Sequence, residues 1–253
     1  DTDIKVYRGS ARLGIETDTL DIWGKTLNTR PVEDVNMSKL EEAVTNFSGV
    51  ITQTPPMYSA LKVKGKKLYE YAREGKEVDV KSRKIFVERA EIISFDGSEF
   101  EFEIACSKGT YIRSICADIG KALGCGAAMS SLIRTRSGCF ELSDSVDIEK
   151  LQVMTSEDIE SLLLPIDMPL PHLGRAEVSD WEKHLFINGV ELRKNQWLEL
   201  EKPRFANEEF PLPIRKEFTQ LYRVYDRAGD FLGTAIENKG LIKADKVFYN
   251  ANI

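Results

Sequence analysis

Charged and apolar residues alternate strictly over residues 99–104, and this is the clearest pattern in the chain. A period of two predicts a half-buried β-strand. Its inward face would carry Phe100, Phe102, Ile104 and Cys106. Weaker alternation predicts two further strands, at Lys5–Gly14 and Lys84–Phe95.

Beyond the central strand the apolar residues move to helical spacing. They are Ile112, Ile115, Cys116, Ile119 and Leu123. This spacing predicts a helix that is capped by Thr110 and stopped by Gly124. Lys108, Tyr111 and Arg113 emerge where the strand meets the helix. From the spacing alone, a surface tyrosine and a solvated arginine explain the last two as well as a functional pair does.

A capping box at Ser38–Glu41 predicts a second helix. Its buried face would hold Leu40, Ala43, Val44 and Phe47.

The chain changes character near residue 165. An acidic region from Asp147 to Leu164 predicts helix with Ile159, Leu162 and Leu163 facing inward. Three prolines then mark a boundary, at Pro165, Pro169 and Pro171. Short strand-like runs follow and predict a small β domain that includes a hairpin at residues 221–236.

The composition is ordinary for a globular protein, with 253 residues, 42% hydrophobic and 30% charged. No apolar run approaches the length of a membrane span, and no signal-peptide pattern opens the chain. The four cysteines lack Cys-x-x-Cys spacing and lie far from both histidines, so no metal site is expected. Free thiols favour a reducing, cytoplasmic location.

The net charge of −6 argues against a nucleic-acid-binding protein, but its distribution does not. Residues 59–84 contain nine Lys or Arg against four Asp or Glu, and residues 106–139 contain five against one. The excess of acidic residues lies elsewhere, with seven acids and one lysine at 141–165. The basic segments would therefore attract a polyanion.

Residues 54–75 interleave basic side chains with aromatic rings. Pro55-Pro56 would stiffen the start, and Lys66–Arg73 predicts a short helix that Gly75 ends. The basic residues are Lys62, Lys64, Lys66, Lys67 and Arg73. Lysines neutralise phosphate and rings stack on bases, so this composition suits RNA, although such a run is more often a solvated face.

Three stretches resemble the bacterial tRNA pseudouridine synthase B (TruB) family. They are residues 106–113 (CSKGTYIR), 124–127 (GCGA) and 132–135 (LIRT), and the run PPMYSALK at 55–62 is similar to that family's thumb. The resemblance implies an α+β fold with a largely antiparallel central sheet in a catalytic domain at 1–168, and a thumb at about 52–84. It also implies a PUA-like RNA-binding β-barrel at 169–253.

The same resemblance implies that uridine-55 in the T arm of tRNA is isomerised to pseudouridine, without a metal or cofactor. The base is expected to flip out of its stack. The expected protein is a cytoplasmic monomer whose partner is the T-arm stem-loop, with no protein partner and no membrane.

The resemblance also assigns roles to residues. Tyr7 is expected to stack on the target base, Tyr111 to act as general base, and Arg113 to keep a nucleophilic aspartate charged. RNA-binding residues are expected at Lys108, at Leu132 beside the base, and at the five basic thumb residues.

The nucleophilic aspartate is not found where the family motif puts it. That motif runs Gly-x-Leu-Asp-x-x-Ala-x-Gly, and Leu20-Asp21 lacks both the preceding glycine and the Ala-x-Gly. We therefore expect the motif to lie before Asp1, and Asp18 and Asp21 to be turn residues that bond neighbouring backbone amides. The alternative is a tRNA-binding or tRNA-folding module without catalysis.

Overall fold

The computed structural model describes residues 4–206, 211–212 and 216–248. The chain divides into two compact units, residues 1–145 and 146–253. The proline-based boundary between residues 168 and 169 stays a prediction. Among the described residues, no helix has the length and apolar character needed to cross a membrane.

In its described residues, the first unit contains ten strands, six of them in one main sheet and four in two small sheets. Its strands are β1 (Ile4–Leu13), β2 (Ile15–Thr17), β3 (Thr26–Thr29), β4 (Gly49–Gln53), β5 (Lys62–Val63), β6 (Lys66–Lys67), β7 (Arg83–Phe95), β8 (Glu99–Ser107), β9 (Ala127–Ser137) and β10 (Phe140–Glu141). Its helices are α1 (Met37–Thr45), α2 (Leu68–Arg73) and α3 (Ile112–Ala122). The main sheet has the order β10-β9-β1-β8-β7-β4, and every neighbouring pair is antiparallel. The expected antiparallel central sheet is confirmed.

The alternation in β8 sets which side of this sheet forms the core. The four residues predicted to face inward, Phe100, Phe102, Ile104 and Cys106, are all buried, and at the end of the strand Ala105 and Ser107 are buried as well. The four predicted residues pack in one cluster with residues of α1 and α3, and full burial of each phenylalanine stabilises the fold by about 1.5–3 kcal/mol. The intervening glutamates face the other way, where Glu101 accepts from Arg8 at 3.3 Å. One face of the sheet is therefore apolar and covered, and the other is charged.

The helices predicted after residues 36 and 110 are present as α1 and α3, but their caps were predicted wrongly. Thr110 does not cap α3, because its hydroxyl donates to the Ser107 carbonyl at 2.8 Å and closes the turn that ends β8. Helix α1 is capped by Asn36, whose side chain accepts from the Lys39 amide at 3.0 Å. Ser38 already lies inside the first turn of α1, so it cannot act as the cap.

The second unit contains the predicted small β structure. Its helices are α4 (Ile148–Leu151), α5 (Ser156–Ser161) and α6 (Asp180–Ile187), and its strands are β11 (Gly174–Val178), β12 (Leu198–Glu201), β13 (Leu221–Asp226), β14 (Phe231–Asn238) and β15 (Leu241–Val247). The sheet order is β12-β11-β13-β14-β15, with β11 and β13 parallel and the other pairs antiparallel. The predicted hairpin is β13–β14.

The acidic region before this sheet differs from the prediction. It forms two short helices, because Thr155 starts a new one by accepting from the Asp158 amide at 3.2 Å. Ile159 and Leu162 are each 39% exposed and Leu163 is 73% exposed. These three residues therefore do not face inward.

Candidate active site

Arg113, in the first turn of α3, joins three segments of the first unit. Its Nη1 donates to the Thr19 carbonyl and to Asp21 Oδ2, both at 2.9 Å, and its Nη2 donates to the Tyr58 carbonyl at 2.8 Å. The side chains of Arg113 and Asp21 are 23% and 16% exposed, so water only partly screens their ion pair. The guanidinium is held in one orientation between the 17–25 turn and the start of the thumb.

This geometry corrects the expectation for Asp21. Its carboxylate accepts from the Thr19 hydroxyl at 2.8 Å and from Arg113, not from neighbouring backbone amides. Asp18 does act as a turn residue, because Oδ1 accepts from the Lys25 amide at 2.8 Å. Asp21 and Arg113 are 92 residues apart, so no local pattern could have paired them.

The turn that carries Asp21 is pinned to the sheet. The buried Thr17 hydroxyl donates to the Asp21 carbonyl at 2.7 Å. The Ile22 amide donates to Met129 in β9 at 2.9 Å, and the Met129 amide donates to Leu20 at 3.0 Å. Leu20 adopts a left-handed φ of 66°, a conformation that costs free energy in a non-glycine residue and persists only where surrounding contacts enforce it. The turn is therefore preorganised.

Tyr58 connects the thumb to the same turn. Its hydroxyl donates to Asp18 Oδ2 at 3.3 Å, while its carbonyl accepts from Arg113. The negative charge of Asp18, followed by burial, raises the pKa of the Tyr58 phenol, which keeps it protonated as a donor. The start of the thumb, at Tyr58, is thus hydrogen-bonded to both Asp18 and Arg113.

Tyr111 is held by two residues that the sequence analysis missed. Its amide donates to Gln53 Oε1 at 2.8 Å, and Gln53 Nε2 donates back to its carbonyl at 3.1 Å. The Arg83 guanidinium lies 5.2 Å from the centroid of the Tyr111 ring and donates to the carbonyl of Gly109. Gln53 is 5% exposed and 58 residues away from Tyr111. Nothing in the local sequence distinguishes it from a surface glutamine.

Tyr7 and Leu132 lie on neighbouring strands. Tyr7 in β1 is paired with Ile104 of β8 and packs, partly buried, against the core cluster. Leu132 in β9 is paired with Gly9, two residues further along β1, and is 40% exposed. Lys108 is exposed on the turn between β8 and α3. Ile4 pairs with Ser107, so the start of β1 lies beside this turn.

The five basic thumb residues are not equivalent. Lys62 and Lys64 are exposed, whereas Lys66 pairs with Glu74 and lies 4.9 Å from the centroid of the Tyr71 ring. Lys67 and Arg73 both lie over the ring of Tyr69, at 5.4 and 5.3 Å. Arg73 is exposed as well, but its guanidinium lies over a ring, so Lys62 and Lys64 are the two of these five cations most open to a polyanion.

The cysteines do not form a reactive centre. All four are free thiols. Burial raises the pKa of Cys106 to about 11 and also raises that of Cys116, so both stay protonated at neutral pH. In the part of the chain that the structure describes, no three His, Cys, Asp or Glu side chains gather as metal ligands would.

Comparison with known proteins identifies the family. The family model for the TruB family pseudouridylate synthase N-terminal domain matches residues 1–112, and the model for the tRNA pseudouridylate synthase B C-terminal domain matches residues 113–171. The tRNA pseudouridine synthase B of Alkaliphilus oremlandii is 42% identical over 215 residues, which are 85% of this chain and 70% of that protein. The chain belongs to the TruB family of pseudouridylate synthases.

Two further relatives carry the same name. The tRNA pseudouridine synthase B of Clostridium novyi is 39% identical over 245 residues, or 97% of this chain and 78% of that protein. The one from Chromobacterium violaceum is 43% identical over 192 residues, or 76% of this chain and 62% of that protein. The matched region therefore spans less than the full length of each relative.

Solved structures share the fold at low identity. A chain in the crystal structure of a Cbf5-Nop10-Gar1 complex aligns with a TM-score of 0.66 and 22% identity, over 97% of this chain and 67% of that chain. A chain of an H/ACA RNP bound to a substrate RNA containing 2'-deoxyuridine aligns with a TM-score of 0.65 and 19% identity, over 98% and 67%. These likenesses concern the fold alone.

Proposed function

We propose that this protein isomerises uridine to pseudouridine in tRNA, and that its target is uridine-55 of the T arm. Membership of the TruB family and the relatives named tRNA pseudouridine synthase B support this function. The observation that carries it is Arg113, two residues after Tyr111 at the start of α3, whose guanidinium already holds one carboxylate, that of Asp21. The protein acts as a cytoplasmic monomer in this proposal.

The reaction breaks the bond from uracil N1 to the ribose, rotates the base and forms a bond from C5 to the same ribose carbon. N1 gains a proton, and the hydrogen on C5 leaves as a proton. The base must first leave its stack, so the Tyr7 ring provides a stacking surface worth about 1–3 kcal/mol. Arg113 favours the charged form of a nucleophilic aspartate, and Tyr111 removes the C5 proton. Leu132 lies against the flipped base.

Loss of the C5 hydrogen gives a direct test. The purified protein is incubated with a T-arm stem-loop that carries tritium at C5 of its uracils, and the tritium released into water is counted. We expect one equivalent per stem-loop, and none from a stem-loop with cytidine at the target position. If the uridine stem-loop binds but releases no tritium, catalysis is excluded for this polypeptide.

A tRNA-binding module without catalysis is the second candidate. The exposed cations of the thumb favour it, since binding of the phosphate backbone requires no reaction. The second unit, with its five-stranded sheet, would act as a further RNA-binding surface. Tight binding of the T-arm stem-loop without tritium release is the outcome that this candidate requires.

The thumb cations make a separate prediction. Changing both Lys62 and Lys64 to alanine should weaken T-arm binding and flatten its salt dependence, since each lost phosphate contact lowers the slope by about 0.7–0.9. Lys66→Ala should have a smaller effect, because Glu74 already pairs with that charge. Affinity is measured at several salt concentrations, with Lys150→Ala in α4 as the control. An unchanged slope in the double variant would show that Lys62 and Lys64 are solvated surface residues that do not contact phosphate.

A further inference from the structure

Trp23 is a large aromatic side chain that the fold leaves in solvent. It belongs to the 17–25 turn, and 74% of its surface is exposed. Asp21, the partner of Arg113, lies only two residues before it, and two residues span at most about 7 Å. The backbone of Trp23 therefore lies within about 7 Å of Asp21, which is part of the Arg113 network. The mechanism proposed above does not use Trp23.

The turn does not need this tryptophan for its own structure. The Asp18 amide donates to the Lys25 carbonyl at 3.1 Å, and the Lys25 amide donates back to Asp18 Oδ1 at 2.8 Å. Gly24 is packed so closely that a Cβ there would meet Thr19 Oγ1 at 2.1 Å. The backbone on both sides of Trp23 is thus fixed by other contacts.

We propose that Trp23 stacks on an unpaired nucleotide of the RNA substrate, next to the base that is flipped. This inference rests on the proposed function and assigns one contact of that substrate. Proteins recognise single-stranded RNA loops by stacking their unstacked bases on aromatic rings. A ring held on a rigid turn loses little freedom when it binds.

The charges on the turn favour a base over a phosphate as the partner. Asp18 and Asp21 both lie on it, and only Lys25 supplies a cation. Asp18 would repel a phosphate group, and the Arg113 guanidinium is already bonded to Asp21, whereas the uncharged face of a base meets no such penalty. The contact should therefore contribute affinity without adding to the salt dependence.

Trp181 provides a matched control, because it is 70% exposed but lies on the helix α6, not on the five-stranded sheet of the second unit to which RNA binding is assigned above. We expect Trp23→Ala to weaken binding of the T-arm stem-loop by about 5-fold to about 100-fold, the range measured for loss of one base–aromatic stack. Trp23→Phe should keep most of the affinity, and Trp181→Ala should bind like the unchanged protein. The slope of affinity against salt should be the same in all four proteins.

Tryptophan fluorescence gives a second readout that does not depend on a measured affinity. Stacking on a base should quench Trp23 when RNA is added, and this quenching should persist in Trp181→Ala and disappear in Trp23→Phe. The only other tryptophan, Trp197, is 6% exposed and serves as an internal reference. Thermal unfolding of each variant shows whether a loss of binding is merely a loss of structure.

Three outcomes would overturn the inference. They are normal affinity in Trp23→Ala, equal losses in Trp23→Ala and Trp181→Ala, and a change in oligomeric state on substitution of Trp23, which would assign the ring to a protein contact. Failure of the proposed function looks different, because the unchanged protein would then release no tritium from the T-arm stem-loop, whether or not it binds that RNA.

Discussion

Replacing Arg113 with alanine should lower pseudouridine formation by about 100-fold or more, while affinity for T-arm RNA falls by less than about tenfold. The guanidinium is the only cation bonded to Asp21 among the described contacts, and it also bonds the carbonyls of Thr19 and Tyr58. Its loss leaves a partly buried carboxylate without a counter-charge and removes electrostatic stabilisation from the reaction, which is worth about 10²–10³ per group at such sites.

Single-turnover rates and equilibrium binding separate these two effects. Arg113→Lys should not restore the rate, because an ammonium lacks the planar fork that reaches Asp21 and the two carbonyls together. Arg12→Ala is a suitable control, since Arg12 is an exposed arginine that pairs with Glu99 on the charged face of the sheet. Parallel losses of binding and rate in Arg113→Ala would contradict the role, as would full activity in Arg113→Lys.

Replacing Asp226 with alanine should lower the free energy of unfolding of the second unit by about 3–5 kcal/mol. Lys183 Nζ lies 2.6 Å from Asp226 Oδ2, and the two side chains are 16% and 3% exposed. Oδ1 of Asp226 also accepts from the amides of Ala228 and Asp230, at 3.0 and 2.9 Å. The substitution would remove this ion pair from a nearly buried ammonium and leave both amides of the hairpin turn without their carboxylate acceptor.

The pH dependence of unfolding tests the same pair. Burial alone would raise the pKa of Asp226, but the bonds from Lys183 and from the turn amides outweigh it, so the pKa is lowered. A group with a lowered pKa in the folded state stabilises fully above its unfolded pKa, about 3.9 for aspartate, and loses that contribution as pH falls through the folded value. The unchanged protein should therefore lose stability below about pH 4, and Asp226→Asn should lose less.

Denaturant unfolding measures the free energy of unfolding of the second unit directly. It is followed by the fluorescence of Trp197, which is buried in the core of that unit. Glu201→Gln is the control, because Glu201 pairs with Arg223 in the same sheet but is 58% exposed. Exposed pairs contribute about 0–1 kcal/mol, so this variant should unfold almost normally. Equal destabilisation by Asp226→Asn and Glu201→Gln would show that burial does not strengthen the Lys183–Asp226 pair.

Strands and helices could be predicted from the sequence where one face of the element is buried. The alternation at residues 99–106 predicted which side of β8 enters the core, because a strand with one covered face must repeat every two residues. The helix after it was predicted for the same reason at a period of 3.6. In the acidic region at 147–164 the same rule failed, because Thr155 starts a new helix and the apolar residues stay exposed.

The family could also be recognised from sequence, since the runs at 106–113, 124–127 and 132–135 are short, contiguous and specific. The contacts that hold the candidate site together could not be predicted from the sequence. Asp21 meets Arg113 across 92 residues, and Gln53 clamps Tyr111 across 58. Such pairs arise because antiparallel strands bring segments that are distant in sequence to one edge of a sheet. Local sequence patterns predict the strands and helices, but they do not predict which of these distant residues come into contact.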